Sequence, residues 1–416
     1  MNEPDQNQKP QSAPQPPGAG GQGRPWDRTL YLAATLLLVL IGCLGLLSCC
    51  LSIVPQPQRA AVAPGPPLEG EPIIQVRLAQ GEKKLTVGAD SRGEWHGKAS
   101  EWRAPAEPGS VDITSTGTAL SIGTLEVAET EVTFVPEGGV FKVGSRPFRG
   151  SLIVSADAAG ALTAIEAVNL EDYVRGVVPM EVSWHWPREA LMAQAVAART
   201  FALHRFLALD GGRKFLTRAD MAYEGVKGEN ANTDEAVRAT QGLFLTYNGK
   251  AFPSFFHTCC GGGTSSVELS FGDPPLEPLQ GASCRWCDDC PFFRWTLRIK
   301  PADLAKKVAM PGIDIVRSIK LEGVDSAGRA KDIMLNDKLR MPVGEFRMAV
   351  GPNTVKSAIF DVTLSGAEWE FSGRGWGHGV GMCQWGARGM AREGNNWRQI
   401  LDHYYPGSRV ERITMQ

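Results

Sequence analysis

The sequence predicts an α+β protein: a β-rich N-terminal part, then a mixed antiparallel sheet with helices, all behind an N-terminal transmembrane helix. Three observations carry that expectation. Residues Leu30 to Val54 run without a charge, and about 20 apolar residues suffice to cross a bilayer. From Pro72 to about Leu170, short alternating segments recur between glycines, the period-two signature of strands. Beyond that point helical and strand-like stretches mix without a regular strand–helix–strand alternation.

Taken in chain order, residues 1–29 form a tail rich in Pro, Gln and Gly, with too little apolar surface to fold, and are expected to be disordered and cytoplasmic. Residues 30–54 are the expected anchor. Arg24 and Arg28 precede it and only Arg59 follows closely, so the positive-inside rule puts the remainder outside. A rival reading makes Leu46-Leu47-Ser48-Cys49 a lipobox, with Cys49 acylated. Both readings place the bulk of the chain outside the cytoplasmic membrane. Residues 55–71 read as a Pro-rich spacer.

Strands are expected in IIQVRLA, KLTVGA, SVDIT, ALSIG, EVTFVP, GVFKVG and SLIVSA, which make up a β-rich part over 72–165. The remaining 166–416 form the expected core. NLEDYVRGVV predicts a short helix and VVPMEVSWHW a turn. A strong helix follows: Pro187 suits its start, Glu189 the positive end of its dipole, and Gly211-Gly212 its stop. Leu191, Ala195, Ala198 and Ala202 recur at helical spacing, and alanines in that number imply close contact with a neighbour. A helix near 234–241, strands near 243–247 and 252–256, two short helices within 293–365, a strand at 369–371 and a helix at 397–405 complete the pattern.

Composition excludes one class of partner. The 416 residues hold 43 basic and 45 acidic side chains, a formal net charge of −2, without the basic excess that nucleic-acid binding normally needs. Three constellations could carry chemistry. Glu181 lies among apolar and tryptophan neighbours, where a raised pKa would keep it protonated as a general acid; a helix-entry role is the plainer alternative, and Glu171 and Glu189 compete with it. The run GRGWGHGVGMCQWGARGMAREG at 373–394 puts glycines where backbone can approach a ligand closely. It is not a dinucleotide fingerprint, so no nucleotide or organic cofactor is expected. Trp376 and Trp385 offer flat faces of the kind sugar rings stack on, with His378 and Gln384 as hydrogen-bonding groups. The third constellation is cysteine: His257 precedes Cys259-Cys260, and Cys284, Cys287 and Cys290 follow at regular spacing. A closed zinc site of three thiolates and one histidine and a set of disulfides both fit. Cys383, beside His378, raises a cysteine-hydrolase idea for which no residue orienting the histidine is visible.

At these residues the chain resembles the SpoIID/LytB family, named for a stage II sporulation protein and an amidase enhancer. The resemblance rests on LEDYVRGVVPMEV and PREALMAQAVAARTFAL at 170–203, FFHTCCGGGTSSVE at 255–268, CRWCDDCPFFRW at 284–295, VGEFRMAVGPNTVKSAIF at 343–360 and the glycine run, with FRGSLIV upstream. It implies a peptidoglycan function. Sporulation members are lytic transglycosylases that cut glycan strands already stripped of stem peptides, and the resemblance puts the catalytic acid/base on Glu181. It gives Arg199 a place holding Glu181 or the sugar, and turns His257 and His378 toward the cleft. It also implies a structural zinc on His257, Cys260, Cys284 and Cys287. Cys259 stands where threonine is usual, and Cys290 and Cys383 where serine is usual, which leaves the ligand set open. The other role the resemblance implies is a non-catalytic enhancer of a cell-wall amidase.

Overall fold

Alternating side chains build the first half. In the computed structural model, which describes residues 71–208, 216–217, 220–309, 312 and 314–413, the strand Leu162–Asn169 buries every second residue until its last. It pairs antiparallel with Ile73–Glu82 on one side and Ser151–Ala156 on the other. These belong to a seven-stranded sheet that continues through Glu131–Pro136 and Gly93–Gly97 to Arg103–Ala106. A six-stranded sheet runs from Arg146–Arg149 through Leu85–Ala89 and Gly109–Ser115 to Leu125–Val127. All the segments expected as strands in this region are strands. The tail, the apolar run 30–54 and residues 55–70 lie outside the described residues. Among the described residues no helix is long and apolar enough to cross a membrane.

The expected boundary at 165/166 falls inside the strand Leu162–Asn169, and one core crosses it. Val76, Leu85, Ile113, Phe134 and Leu152 of the two sheets pack in the same buried cluster as Tyr173, Val174, Leu191 and Ala195 of the helices that follow. One member of the buried face is out of character. Glu166 takes an inward position of Leu162–Asn169, opposite Val76 and Leu152, and is fully buried. The Tyr223 hydroxyl donates to its Oε1 at 2.9 Å, while Oε2 has no partner among the described residues. Burial pushes this carboxyl up to about 8.

Helix α1 (Leu170–Glu181) starts directly from that strand. It runs through Pro179, where a turn was expected. Proline here forgoes one helical N–H near the end, and the Val182 N–H still closes on Val178 at 3.1 Å. Helix α2 (Arg188–Leu207) is buried without a break from Ala190 to Leu203. A helix apolar all round must be surrounded, and α2 packs on α1, on α3 (Ala231–Ala239), on the strand Leu243–Tyr247 and on the last two helices.

The remainder divides into small sheets rather than one mixed sheet. Helix α4 (Val267–Phe271) leads to a three-stranded sheet, Arg294–Ile299, Glu368–Arg374 and Ile359–Ser365, whose core includes Trp295, Phe346 and Phe371. Helices α5 (Pro301–Val308) and α6 (Val343–Val350) are the two short helices expected there. The strand expected at 252–256 reduces to two-residue pairings, Lys250–Ala251 and Phe256–His257. Pro253 between them has no N–H to give a ladder. Phe256–His257 pairs parallel with Met382–Cys383, which leads into α7 (Gln384–Arg392), and α8 (Trp397–Tyr404) follows behind a capping box of Asn396 and Gln399.

Candidate active site

Of the three competing carboxylates, geometry separates one. Glu171 accepts from Nε and Nη2 of Arg199, at 2.8 and 2.7 Å, and from the Gly242 N–H. Glu189 accepts the Trp397 N–H at 2.8 Å. Glu181, the last residue of α1, lines a cavity of about 530 Å³ with Phe201, Arg205, Asp220, Met221, Ala222, Phe255, Phe256, Phe271 and His378. The Ala222 N–H donates to its Oε1 at 2.9 Å, and Gln384 Nε2 lies 3.5 Å from Oε2. Burial raises the pKa of the Glu181 carboxyl, and these two donors only partly offset it. Its place at the C-terminal end of α1, where the helix dipole is negative, acts in the same upward direction.

The tryptophans next to Glu181 in sequence do not make that environment. Trp184 is exposed, and Trp186 packs edge-on against Trp385 with centroids 5.4 Å apart. A string of phenylalanines from distant segments does so instead: Phe201 meets Phe255 at 5.6 Å, and Phe255 meets Phe271 at 5.0 Å. Arg205 and Asp220, a 2.7 Å ion pair on the same wall, were also not anticipated. The FFHTCC stretch contained Phe255 and Phe256, but nothing in local spacing tied them to Glu181.

The glycine run is what lets two backbones meet here. Gly377, at φ 114°, sits where a Cβ would lie 2.8 Å from the Cβ of His257. Gly381, at φ 68°, leaves no space for a Cβ beside the Phe255 carbonyl, which in turn accepts the Met382 N–H at 3.0 Å. Between them His378 is locked as the neutral imidazole. Its Nε2 donates to the Phe256 carbonyl at 2.9 Å and its Nδ1 accepts the Val380 N–H at 3.1 Å. Burial holds its pKa down at about 4. His378 therefore forms wall and scaffold for the cavity. His257 lies behind it, ring centroids 5.4 Å apart, with Nδ1 donating to the Val380 carbonyl and Nε2 without a partner among the described residues.

Arg199 is the clear departure from expectation. It is fully buried, clamped on Glu171 and on the carbonyls of Leu243 and Val237, and ties α2 to α1 and the following strand. None of its hydrogen bonds goes to Glu181, so it acts as a structural pin. Gln384, buried, does face Glu181. Trp376 lines a second cavity, about 750 Å³, that shares Phe271 and His378 with the first. Lys356 lies over its ring at 4.7 Å. Trp385 is partly buried under Arg388.

The cysteines come together in an unexpected set. The sulfurs of Cys260, Cys284, Cys287 and Cys383 lie within 4.8 Å of one another, all buried. The fourth member is Cys383 and not His257, because the parallel pairing of Phe256–His257 with Met382–Cys383 brings position 383 beside the loop while the Val380 carbonyl holds His257. Four soft ligands in a closed, buried group suit zinc.

The family described as "Stage II sporulation protein" (SpoIID) matches over residues 158–247. An uncharacterised protein of Brachyspira hyodysenteriae is 32% identical over 293 residues, 69% of this chain and 78% of its own length. Stage II sporulation protein D of Bacillus subtilis is 29% identical over 266 residues, 59% of this chain and 76% of its own. The amidase enhancer of Bacillus subtilis is 27% identical over 292 residues, 57% of this chain and 40% of its own.

Proposed function

Because the chain belongs to the SpoIID/LytB family, we propose that it is a peptidoglycan lytic transglycosylase, cleaving peptide-stripped glycan strands and leaving 1,6-anhydroMurNAc ends. The observation that carries this reading is the Glu181 carboxyl, held at raised pKa in an aromatic-lined cavity with two donors on its oxygens. Burial that favours the protonated form is what a general acid needs.

In this reading Glu181 donates its proton to the oxygen joining MurNAc C1 to the next GlcNAc. The C1–O bond breaks and the leaving sugar departs with that proton. The MurNAc C6 hydroxyl then attacks C1, and its proton passes to the Glu181 carboxylate, which returns the acid form. The nucleophile belongs to the substrate, so one carboxyl serves both steps and no paired carboxylate at hydrolase spacing is needed. The Ala222 N–H and Gln384 orient the carboxyl. Phe201, Phe255, Phe256 and Phe271 give the cavity an aromatic side against which a sugar ring can pack, with Arg205 and Asp220 as its polar pair. No step passes through the cysteine cluster. The apolar run 30–54 tethers the unit outside the cytoplasmic membrane in the same reading, and the mass of the mature chain separates a retained helix from acylation at Cys49.

The test uses intact peptidoglycan and amidase-stripped strands, with products read by mass spectrometry. Anhydro ends from stripped strands, absent with Glu181→Gln, are the expected result. A folded protein that binds glycan and cuts neither substrate refutes the enzyme and leaves the role carried in the name of the amidase-enhancer relative.

A further inference from the structure

We propose that Cys260, Cys284, Cys287 and Cys383 are the four ligands of a closed all-thiolate zinc site that fastens the start of α7, and with it Gln384, to two separate loops. The site stands whether or not Glu181 is catalytic; only its bearing on Gln384 rests on the reading above.

Geometry is the first argument. Cys260 Sγ and Cys287 Sγ are 3.4 Å apart and all four sulfurs lie within 4.8 Å. Four thiolates at the usual zinc–sulfur distance have edges of roughly 3.8 Å. A disulfide would need two of these sulfurs at about 2.05 Å, and all four cysteines are free. The second argument is the donors. The N–H groups of Cys260 and Gly386 point at Cys383 Sγ, at 3.2 and 3.3 Å, and the Tyr404 hydroxyl lies 3.2 Å from Cys284 Sγ. Such donors serve a buried thiolate, whose charge burial otherwise opposes.

The third argument is charge. A zinc ion with four thiolates carries a net charge of −2, which a buried site must balance. Arg329 is fully buried, and its Nη2 donates to the Cys260 carbonyl at 2.6 Å. Its Nε and Nη1 have no partner among the described residues. A buried guanidinium with two idle donors is otherwise a cost. Next to an anionic metal cluster it offsets one of the two negative charges.

The remaining histidine and thiols lie outside that group of four sulfurs, with Cys259 beside it, against Cys287, Cys290 and Cys383. His257 Nδ1 goes to the Val380 carbonyl, Cys259 Sγ points at the Cys287 carbonyl at 3.8 Å, and Cys290 Sγ accepts the Phe292 N–H. Loading converts four thiols to thiolates and releases their protons to water. Cys383 is the N-cap of α7, and the next residue is Gln384, 3.5 Å from Glu181. A metal on Cys383 therefore acts on Glu181 through Gln384 as a positioning device.

The test uses the full-length chain. Metal analysis is expected to give one zinc per chain, and X-ray absorption a shell of four sulfurs. Cobalt replacement should give the long-wavelength d–d bands of a four-thiolate site. His257→Asn should keep the metal and its sulfur shell, while Cys383→Ser loses zinc or lowers the sulfur count. Three sulfurs and one nitrogen in the wild type overturns the ligand set, as does loss of zinc with His257→Asn alone. Disulfides found by mass after alkylation overturn the site altogether. The wild-type absorption spectrum decides even if Cys383→Ser fails to fold. Chelation should at least tenfold accelerate hydrogen exchange at the Gly386 amide; unchanged exchange overturns the positioning role.

Discussion

Replacing Glu166 by glutamine isolates the effect of one buried carboxyl on stability. In the folded protein its pKa is about 8, against 4.5 for the exposed group. The folded state thus holds a proton that the unfolded chain gives up. Stability is unaffected below the unfolded value, falls by about 1.4 kcal/mol per pH unit between the two values, and is level again above the folded one. Over the whole window the loss is about 5 kcal/mol. Glutamine does not titrate, so the variant lacks this decline. It adds an N–H where Oε2 has no partner, at a pH-independent cost of about 1–3 kcal/mol. The readout is therefore the difference in slope. Urea unfolding at about pH 5, 7 and 9 should show the variant gaining on the wild type by several kcal/mol across the series. Parallel pH dependences would refute the reasoning, because Glu166 would then be ionised in the fold with its charge compensated.

Further predictions follow the same physics. Arg199→Met leaves the half-buried Glu171 without its cation and should destabilise by about 3 kcal/mol in urea unfolding. Loss confined to activity, with stability unchanged, would restore a substrate role for Arg199. Glu181→Gln should raise the melting temperature above about pH 5, with the gain vanishing below it, since the raised folded pKa means that the wild type loses stability as pH rises through that window. A variant no more stable at any pH would mean that Glu181 is not held protonated. Gly381→Ala forces a side chain into positive φ against the Phe255 carbonyl and should cost about 2 kcal/mol or more. A fully stable alanine variant would show that the close approach relaxes freely.

Much of the fold was legible because its signals are local. Strand alternation in IIQVRLA or SLIVSA requires only neighbours, as does the alanine content of α2. Pro179 misled because proline usually breaks a helix, yet here it costs one bond near the end. The site was harder to read. Glu181 was found through its motif, whereas the groups that tune it, Phe201, Met221, Phe255 and Phe271, come from four places along the chain. Arg199 pairs with a carboxylate 28 residues away, a partnership that no spacing rule supplies. His257 was expected as a ligand for its closeness to Cys260 in sequence. Cys383, 123 residues from Cys260, has its sulfur in the cluster instead, because a parallel two-residue pairing delivers it.

The central claim is that Glu181 moves a proton out and back while the substrate supplies the nucleophile. Digestion of stripped glycan strands in heavy-oxygen water tests it most directly. The account predicts anhydro ends that carry no heavy oxygen, formed at a rate that falls at least a hundredfold with Glu181→Gln. Reducing ends labelled at C1 would contradict it, since water and not the C6 hydroxyl would then have attacked.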